Sequence, residues 1–316
     1  MKKTVKAITI LALALTLVLS SLSLSSCGDK SSEGKLKILC TVFPLYDWTR
    51  SVVGDAEGVE VSLLVKNGAD LHSYQPSFAD IAAIKDSDVV IYVGGASDKW
   101  VEEAIDGDTV ALKLSAIKDI TLHGVSADSH HHDHSDVIDE HIWLSLGNAT
   151  VATKAIRDTL CSLDKENADI YDKWSATYLK QLDGFDRRML SLSEHITEPL
   201  IFADRFPFVY LLEEYGIEYF AAFEGCTTDT NADFDTVIDL ANKVSASKNK
   251  YLFTTEAPDT ELVDSIIRQS GKTDVKVISL NSMQSVAEAD LNSVSYASIM
   301  NSNITVLEDN FITSKD

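Results

Sequence analysis

The chain has 316 residues, of which 45% are hydrophobic and 24% charged, proportions typical of a globular protein rather than a disordered one. With 49 acidic residues against 27 basic, the formal net charge is −22, which argues against nucleic acid as a partner and suits a protein that attracts cations. This length accommodates two domains with a sizeable core.

Lys2, Lys3 and Lys6 precede an apolar run, Ala7 to Leu19, that is too short to span a membrane and reads as the core of an export signal. Leu24-Ser25-Ser26-Cys27-Gly28 resembles the bacterial lipobox, in which the cysteine is acylated and becomes the new N-terminus. Residues 1–26 are therefore expected to be a lipoprotein signal, Cys27 the lipid attachment point, and residues 27–35 a polar tether outside the cytoplasm; an ordinary secretory signal cleaved nearby, with Cys27 incidental, is the alternative. In that setting disulfides can form, but Cys40, Cys161 and Cys226 are odd in number, so at least one free thiol is expected.

From Leu36 the pattern alternates. Strands are expected at Leu36–Phe43, Val59–Val65, Asp88–Val93 and Thr109–Leu114, with helices at Leu45–Val53, Phe78–Lys85 and Trp100–Ile105 between them. Asn148–Leu163 and Asn167–Ser193 read as helices, the second long, with Leu179, Leu182, Phe185, Met189 and Leu192 at helical spacing. A second alternation follows. Strands are expected at Leu200–Ala203, Ile217–Phe223, Tyr251–Thr255 and Val275–Leu280, and helices at Phe208–Tyr215, Phe234–Val244, Leu262–Ser270 and Tyr296–Phe311. The expected fold class is α/β: two lobes with parallel-rich sheets, residues 36–163 and 196–316, linked by one long rigid helix within 164–195.

Histidine is concentrated. Six of the eight histidines fall between His123 and His141. His123, His130, His131, His132 and His134 sit in a polar stretch, residues 123–138, that reads as a metal-collecting loop; a chance run of His in a solvated loop is the plainer alternative. His141 opens the apolar Ile142-Trp143-Leu144, and His72 follows the turn Asn67-Gly68-Ala69-Asp70, just past a strand end, where open α/β sheets bind ligands. A lone histidine in either place is more often a surface residue than a ligand. Two of them at corresponding loop positions point to a metal site. The sequence contains no H-E-x-x-H, paired C-x-x-C or G-x-S-x-G, so the local signatures of zinc peptidases, zinc ribbons and serine hydrolases are missing.

Asp70-Leu71-His72-Ser73-Tyr74-Gln75-Pro76-Ser77 resembles the D-P-H-x-Y-x-P-[ST] motif of the substrate-binding lipoproteins of bacterial zinc and manganese ABC importers. Asp139-Glu140-His141-Ile142-Trp143-Leu144-Ser145 is similar to that family's D-P-H-x-W-L-D, the His-rich loop to that of its zinc-specific members, and Tyr296 to Asn303 to its S-Y-x-x-M-x-x-N stretch. The resemblance implies a non-catalytic protein that holds one Zn²⁺, or Mn²⁺, in the cleft between its lobes. It also implies a permease and an ATPase as partners, with the protein itself a lipid-anchored monomer. His72 and His141 would be ligands. The family's two second-lobe ligands fall at Ala203, which cannot coordinate, and at Asn281, a poorer ligand than a carboxylate. Asp204 and Glu256, both expected just past strand ends, are the substitutes, with Cys226 and Glu224 as outsiders. A buried divalent charge calls for an anion, and Glu256 has the longer reach. A manganese-binding adhesin and a secreted zinc hydrolase remain as alternatives, since two histidines, a carboxylate and an open position also describe catalytic zinc.

Overall fold

Short apolar runs separated by turn residues become two parallel sheets. In the first half of the chain β1 (Leu36–Cys40) leads through α1 (Phe43–Val53) to β2 (Val59–Leu63), and α2 (Phe78–Lys85) leads to β3 (Val89–Tyr92). Then come α3 (Trp100–Ala104) and β4 (Val110–Lys113), giving the sheet order β2-β1-β3-β4 with every pairing parallel. β3 is buried throughout, so it reads as a continuous apolar run rather than an alternating one. Two helices, α4 (Leu146–Leu163) and α5 (Ala168–Ser193), precede the second sheet. That sheet is built from β5 (Leu200–Phe206), α6 (Val209–Glu214), β6 (Tyr219–Glu224), α7 (Phe234–Ala246), β7 (Tyr251–Thr254), α8 (Thr260–Ser270) and β8 (Lys276–Ser279), and α9 (Tyr296–Phe311) closes the fold. Its order is β6-β5-β7-β8, again all parallel.

The computed structural model describes residues 34–66, 68–124, 138–224, 234–284 and 286–312, and the chain from Leu36 onward is one compact unit. The signal segment with Cys27, the tract histidines His130, His131, His132 and His134, and Cys226 lie outside the described residues. Among the described residues Cys40 and Cys161 are free thiols.

α5, with 26 residues, is about 39 Å long at 1.5 Å per residue. It buries Tyr171, Ser175, Tyr178, Leu182, Phe185, Met189 and Leu192, spaced alternately four and three apart, which puts them on one stripe. One hydrophobic core containing that stripe runs on through Trp48, Ile156, Phe202, Tyr296 and Met300, so the two sheets share an interior. Alternate strand residues face outward into smaller clusters: Leu39 and Val90 under α2 and α3, Ile201 and Leu252 under α7 and α8.

Two element boundaries differ from expectation for identifiable reasons. Pro44 lies inside the first turn of α1 rather than before it, where its missing N–H costs nothing. β5 continues to Phe206 instead of stopping at Ala203, with a register shift against β6 between Phe202 and Arg205. The Phe206 ring packs 4.8 Å from Phe202 and stacks 4.1 Å from Tyr219, and that burial carries the strand past the irregularity.

Asp47 on α1 accepts the backbone N–H of Tyr296 at 2.9 Å and so ties α1 to the start of α9. Burial pushes its carboxyl up to about 6, against the opposing pull of that N–H and of Arg50. A carboxyl raised in the folded state stabilises the fold below its unfolded value, and the contribution is lost as pH rises through about 6. Denaturant unfolding should therefore find the parent protein losing stability relative to Asp47→Asn between about pH 4 and about pH 7. A difference independent of pH would contradict this.

Candidate metal centre

His72 is presented by a one-turn 3-10 helix, Leu71–Ser73, capped by Asp70. Asp70 Oδ1 accepts the His72 backbone N–H at 3.0 Å, and Asp70 Oδ2 accepts from the Arg205 guanidinium on β5 at 2.7 Å, so the loop carrying His72 is held from the second sheet. The imidazole Nδ1 lies 3.0 Å from Ser97 Oγ and 3.1 Å from Glu140 Oε2. Ser97 donates its own N–H to Glu140 Oε1 at 2.6 Å. Asp98 fixes the loop that carries Ser97 by accepting the backbone N–H groups of Val93, Gly94 and Gly95. Burial pushes Asp98 up to about 6, partly offset by those N–H groups.

His141 is built the same way from the other side of the loop cluster. Asp139 Oδ1 accepts both its backbone N–H, at 2.9 Å, and its ring Nδ1–H, at 2.8 Å. Burial raises Asp139, but the attraction and hydrogen bonds of His141 outweigh it and hold the carboxyl below its ordinary range. Glu140 shows the same balance: burial raises it, and hydrogen bonds from His72 and Ser97 bring it below the ordinary range. The His72, Glu140, His141 and Asp139 side chains are 6%, 2%, 3% and 2% exposed, so these are enclosed interactions.

The two rings meet with Nε2 atoms 3.2 Å apart and planes inclined at 61°. An imidazole whose Nδ1 faces a carboxylate keeps its proton there, which leaves the lone pair on Nε2. Two lone pairs facing each other at this distance repel unless a cation or a proton lies between them.

Gln284 completes the constellation: its amide Nε2 lies 2.6 Å from His141 Nε2. A half-turn of the amide places Oε1 there instead. Several contacts hold the turn that presents it. Trp143 Nε1–H donates to Ser282 O at 2.9 Å, Asn281 Oδ1 accepts the Met283 N–H at 2.8 Å, and Met283 adopts φ of 63°.

A family model described as zinc-uptake complex component A, periplasmic, matches residues 38–310. The chain belongs to this family. It is 28% identical over 305 residues to the zinc-binding lipoprotein AdcA of Streptococcus pneumoniae, covering 92% of this chain but 59% of that protein. The chain thus spans about three-fifths of the AdcA relatives' length. It is 26% identical over 308 residues to the high-affinity zinc uptake system protein ZnuA of Bacillus subtilis, covering 92% and 94%. Among solved structures, Zn(II)-bound AdcA of S. pneumoniae superposes with a TM-score of 0.70 at 26% identity, over 88% of this chain and 58% of that one. The metal-dependent lipoprotein YcdH of B. subtilis shares the fold, with a TM-score of 0.72 at 24% identity, over 88% and 100%.

Against this family's motifs, His72 and His141 come together, while the second-lobe candidates are engaged elsewhere. Asp204 is buried inside the β5 irregularity, and its Oδ2 accepts the backbone N–H and hydroxyl of Thr255. Both Glu256 oxygens accept from Ser282, its N–H and its hydroxyl, each at 2.8 Å. Asn281 exchanges hydrogen bonds with Asn303, and Ala203 is buried in the outer core of the second sheet. His123 pairs through Nδ1 with Glu213 Oε2 at 3.0 Å, at the base of the His-rich loop, where Gly124 bridges Ile138. Among the described residues no group of three or more His, Cys, Asp and Glu is arranged to hold a metal ion.

Gln284, Ser97 and the carboxylate of Glu140 are the site residues that sequence reasoning missed. Glu140 occupies the proline position of the D-P-H pattern, and Gln284 lies four residues past Leu280 in a polar loop at a strand end. That strand-end position was the available signal for Gln284.

The backbone of Gly95 lies against Glu140: a Cβ at Gly95 would sit 2.2 Å from Glu140 Oε1. Gly95→Ala should therefore lower the unfolding free energy by about 1–3 kcal/mol through overpacking. Gly107→Ala, with open space around its Cβ, should be near neutral by the same denaturant titration. Equal effects would show that Glu140 is free to move aside.

Proposed function

We propose that this chain is an extracytoplasmic lipoprotein that captures Zn²⁺ between its two lobes and passes it to the permease and ATPase of an ABC importer, without catalysing a reaction. The observation that carries the reading is the pair of Nε2 atoms 3.2 Å apart, each ring backed at Nδ1 by a buried carboxylate. A divalent cation between the two lone pairs, with the rings parted to admit it, satisfies both. His72 and His141 are the proposed nitrogen ligands from the first lobe, and Gln284 Oε1 the ligand from the second. Glu256 then acts through Ser282, holding the turn that presents Gln284, and Asp204 braces β5 against Thr255.

Membership of the family and the zinc-binding relatives support this reading. Imidazole nitrogens and the Irving–Williams order favour Zn²⁺ over Mn²⁺. A manganese-bound relative among the similar folds keeps Mn²⁺ as the competitor to test. The His-rich loop, rooted beside Asp139, is proposed to collect ions at weaker sites, and Cys27 to carry the lipid.

Metal analysis and calorimetry should find one tightly held zinc per chain, lost in the His72→Ala/His141→Ala double variant. Gln284→Ala should weaken it by roughly tenfold, about 1.4 kcal/mol. Mn²⁺ at equal concentration should not displace it. Stoichiometric tight zinc in the double variant would overturn the ligand assignment, and displacement by Mn²⁺ would overturn the choice of metal. Independently, Cys27→Ser should move the protein from the membrane fraction to the soluble fraction of cells that make it. Membrane retention of that variant would contradict the anchor.

A further inference from the structure

The proposed ligand set is neutral, two imidazoles and an amide, and a divalent ion enclosed by neutral groups keeps its full charge at considerable cost. The carboxylates in the second lobe are turned to Ser282 and Thr255. Those nearest the ring pair lie behind it, on the first lobe. Glu140 Oε2 is 3.1 Å from His72 Nδ1 and Asp139 Oδ1 is 2.8 Å from His141 Nδ1. Both carboxylates are buried, so their charge reaches the rings with little intervening water. Arg205, on β5, gives its guanidinium to Asp70.

Resting on the zinc reading above, we infer that Asp139 and Glu140 neutralise the bound cation through the two histidine rings, so that charge compensation comes from behind the ligands on the first lobe and not from a carboxylate of the opposite lobe. Each carboxylate draws on the Nδ1 proton of its ring, which makes the opposite nitrogen a stronger donor, and together they place two negative charges around a doubly charged ion. The two carboxylates thus act as positioning and charge-compensating residues that do not touch the metal. The second lobe is left free to contribute a neutral, weakly held donor, so its departure during release strands no charge.

Calorimetric zinc titration of Glu140→Gln, Ser97→Ala and Glu256→Gln, each alongside the parent protein, tests this. Glu140→Gln should weaken zinc by about ten- to hundredfold, the range expected for an outer partner of a metal-bound histidine. Ser97→Ala removes a neutral neighbour of the same Nδ1 and should cost less, as should Glu256→Gln, which removes a charge from the second lobe. A merely structural glutamate would lower the melting temperature of the metal-free Glu140→Gln protein and leave the zinc affinity of the folded chain unchanged. Long-range ¹⁵N–¹H NMR on the metal-free parent should find Nδ1 protonated on both His72 and His141. Unchanged affinity in Glu140→Gln beside a large loss in Glu256→Gln would overturn the inference and leave the zinc reading standing. A parent protein that holds no stoichiometric zinc would overturn both.

Discussion

The site depends on two imidazoles held with their Nε2 atoms 3.2 Å apart, an arrangement that costs energy unless something positive is shared between them. Much of the surrounding structure serves to impose it. Asp98 gathers three backbone N–H groups to set the loop after β3, that loop delivers Ser97, and Ser97 and Glu140 orient His72. Asp139 fixes His141 by backbone and ring together. Enclosure strengthens each of these contacts, because little water competes for the same atoms.

The second lobe meets this centre through a turn that both halves of the protein brace. Met283 sits buried at a positive φ, which costs a non-glycine residue about 1–3 kcal/mol and persists only when neighbours over-determine it. Those neighbours are Asn281 and Glu256 from its own lobe and Trp143 from the first. Tyr296 closes the circuit by donating its hydroxyl to Trp143 O at 2.8 Å while its N–H holds Asp47. Beneath, the core along α5 runs from one sheet to the other. Across the site the two lobes are joined by a few polar contacts laid over a shared apolar interior: Asp70 with Arg205, Trp143 with Ser282, and Gln284 with His141.

Much of this was legible in the sequence where one local signal sufficed. α2 and α9 begin where expected because Ser77 and Ser295 each form a capping box with the residue three positions on. The parallel sheets followed from strand–helix alternation. His72 and His141 stood out because two histidines at corresponding loop positions of one lobe are an uncommon pattern. What stayed hidden depends on packing between distant segments. Gln284 reaches a histidine 143 positions away, and an amide in a polar loop carries no mark of that. Asp204 was expected beyond a strand end, but the aromatic packing of Phe206 carries β5 past it and turns the carboxylate toward Thr255. Glu140 lies beside a conspicuous histidine, and only the fold reveals that it serves the other one.

The central claim is a zinc ion held by two imidazoles with oxygen completing its shell, and X-ray absorption at the zinc edge of the one-to-one complex tests it most directly. The account predicts two imidazole nitrogens at about 2.0–2.1 Å, oxygen donors for the rest, and loss of the imidazole multiple-scattering signal in the His72→Ala/His141→Ala protein. A shell containing sulfur at about 2.3 Å, or one unchanged by removing both histidines, would contradict it.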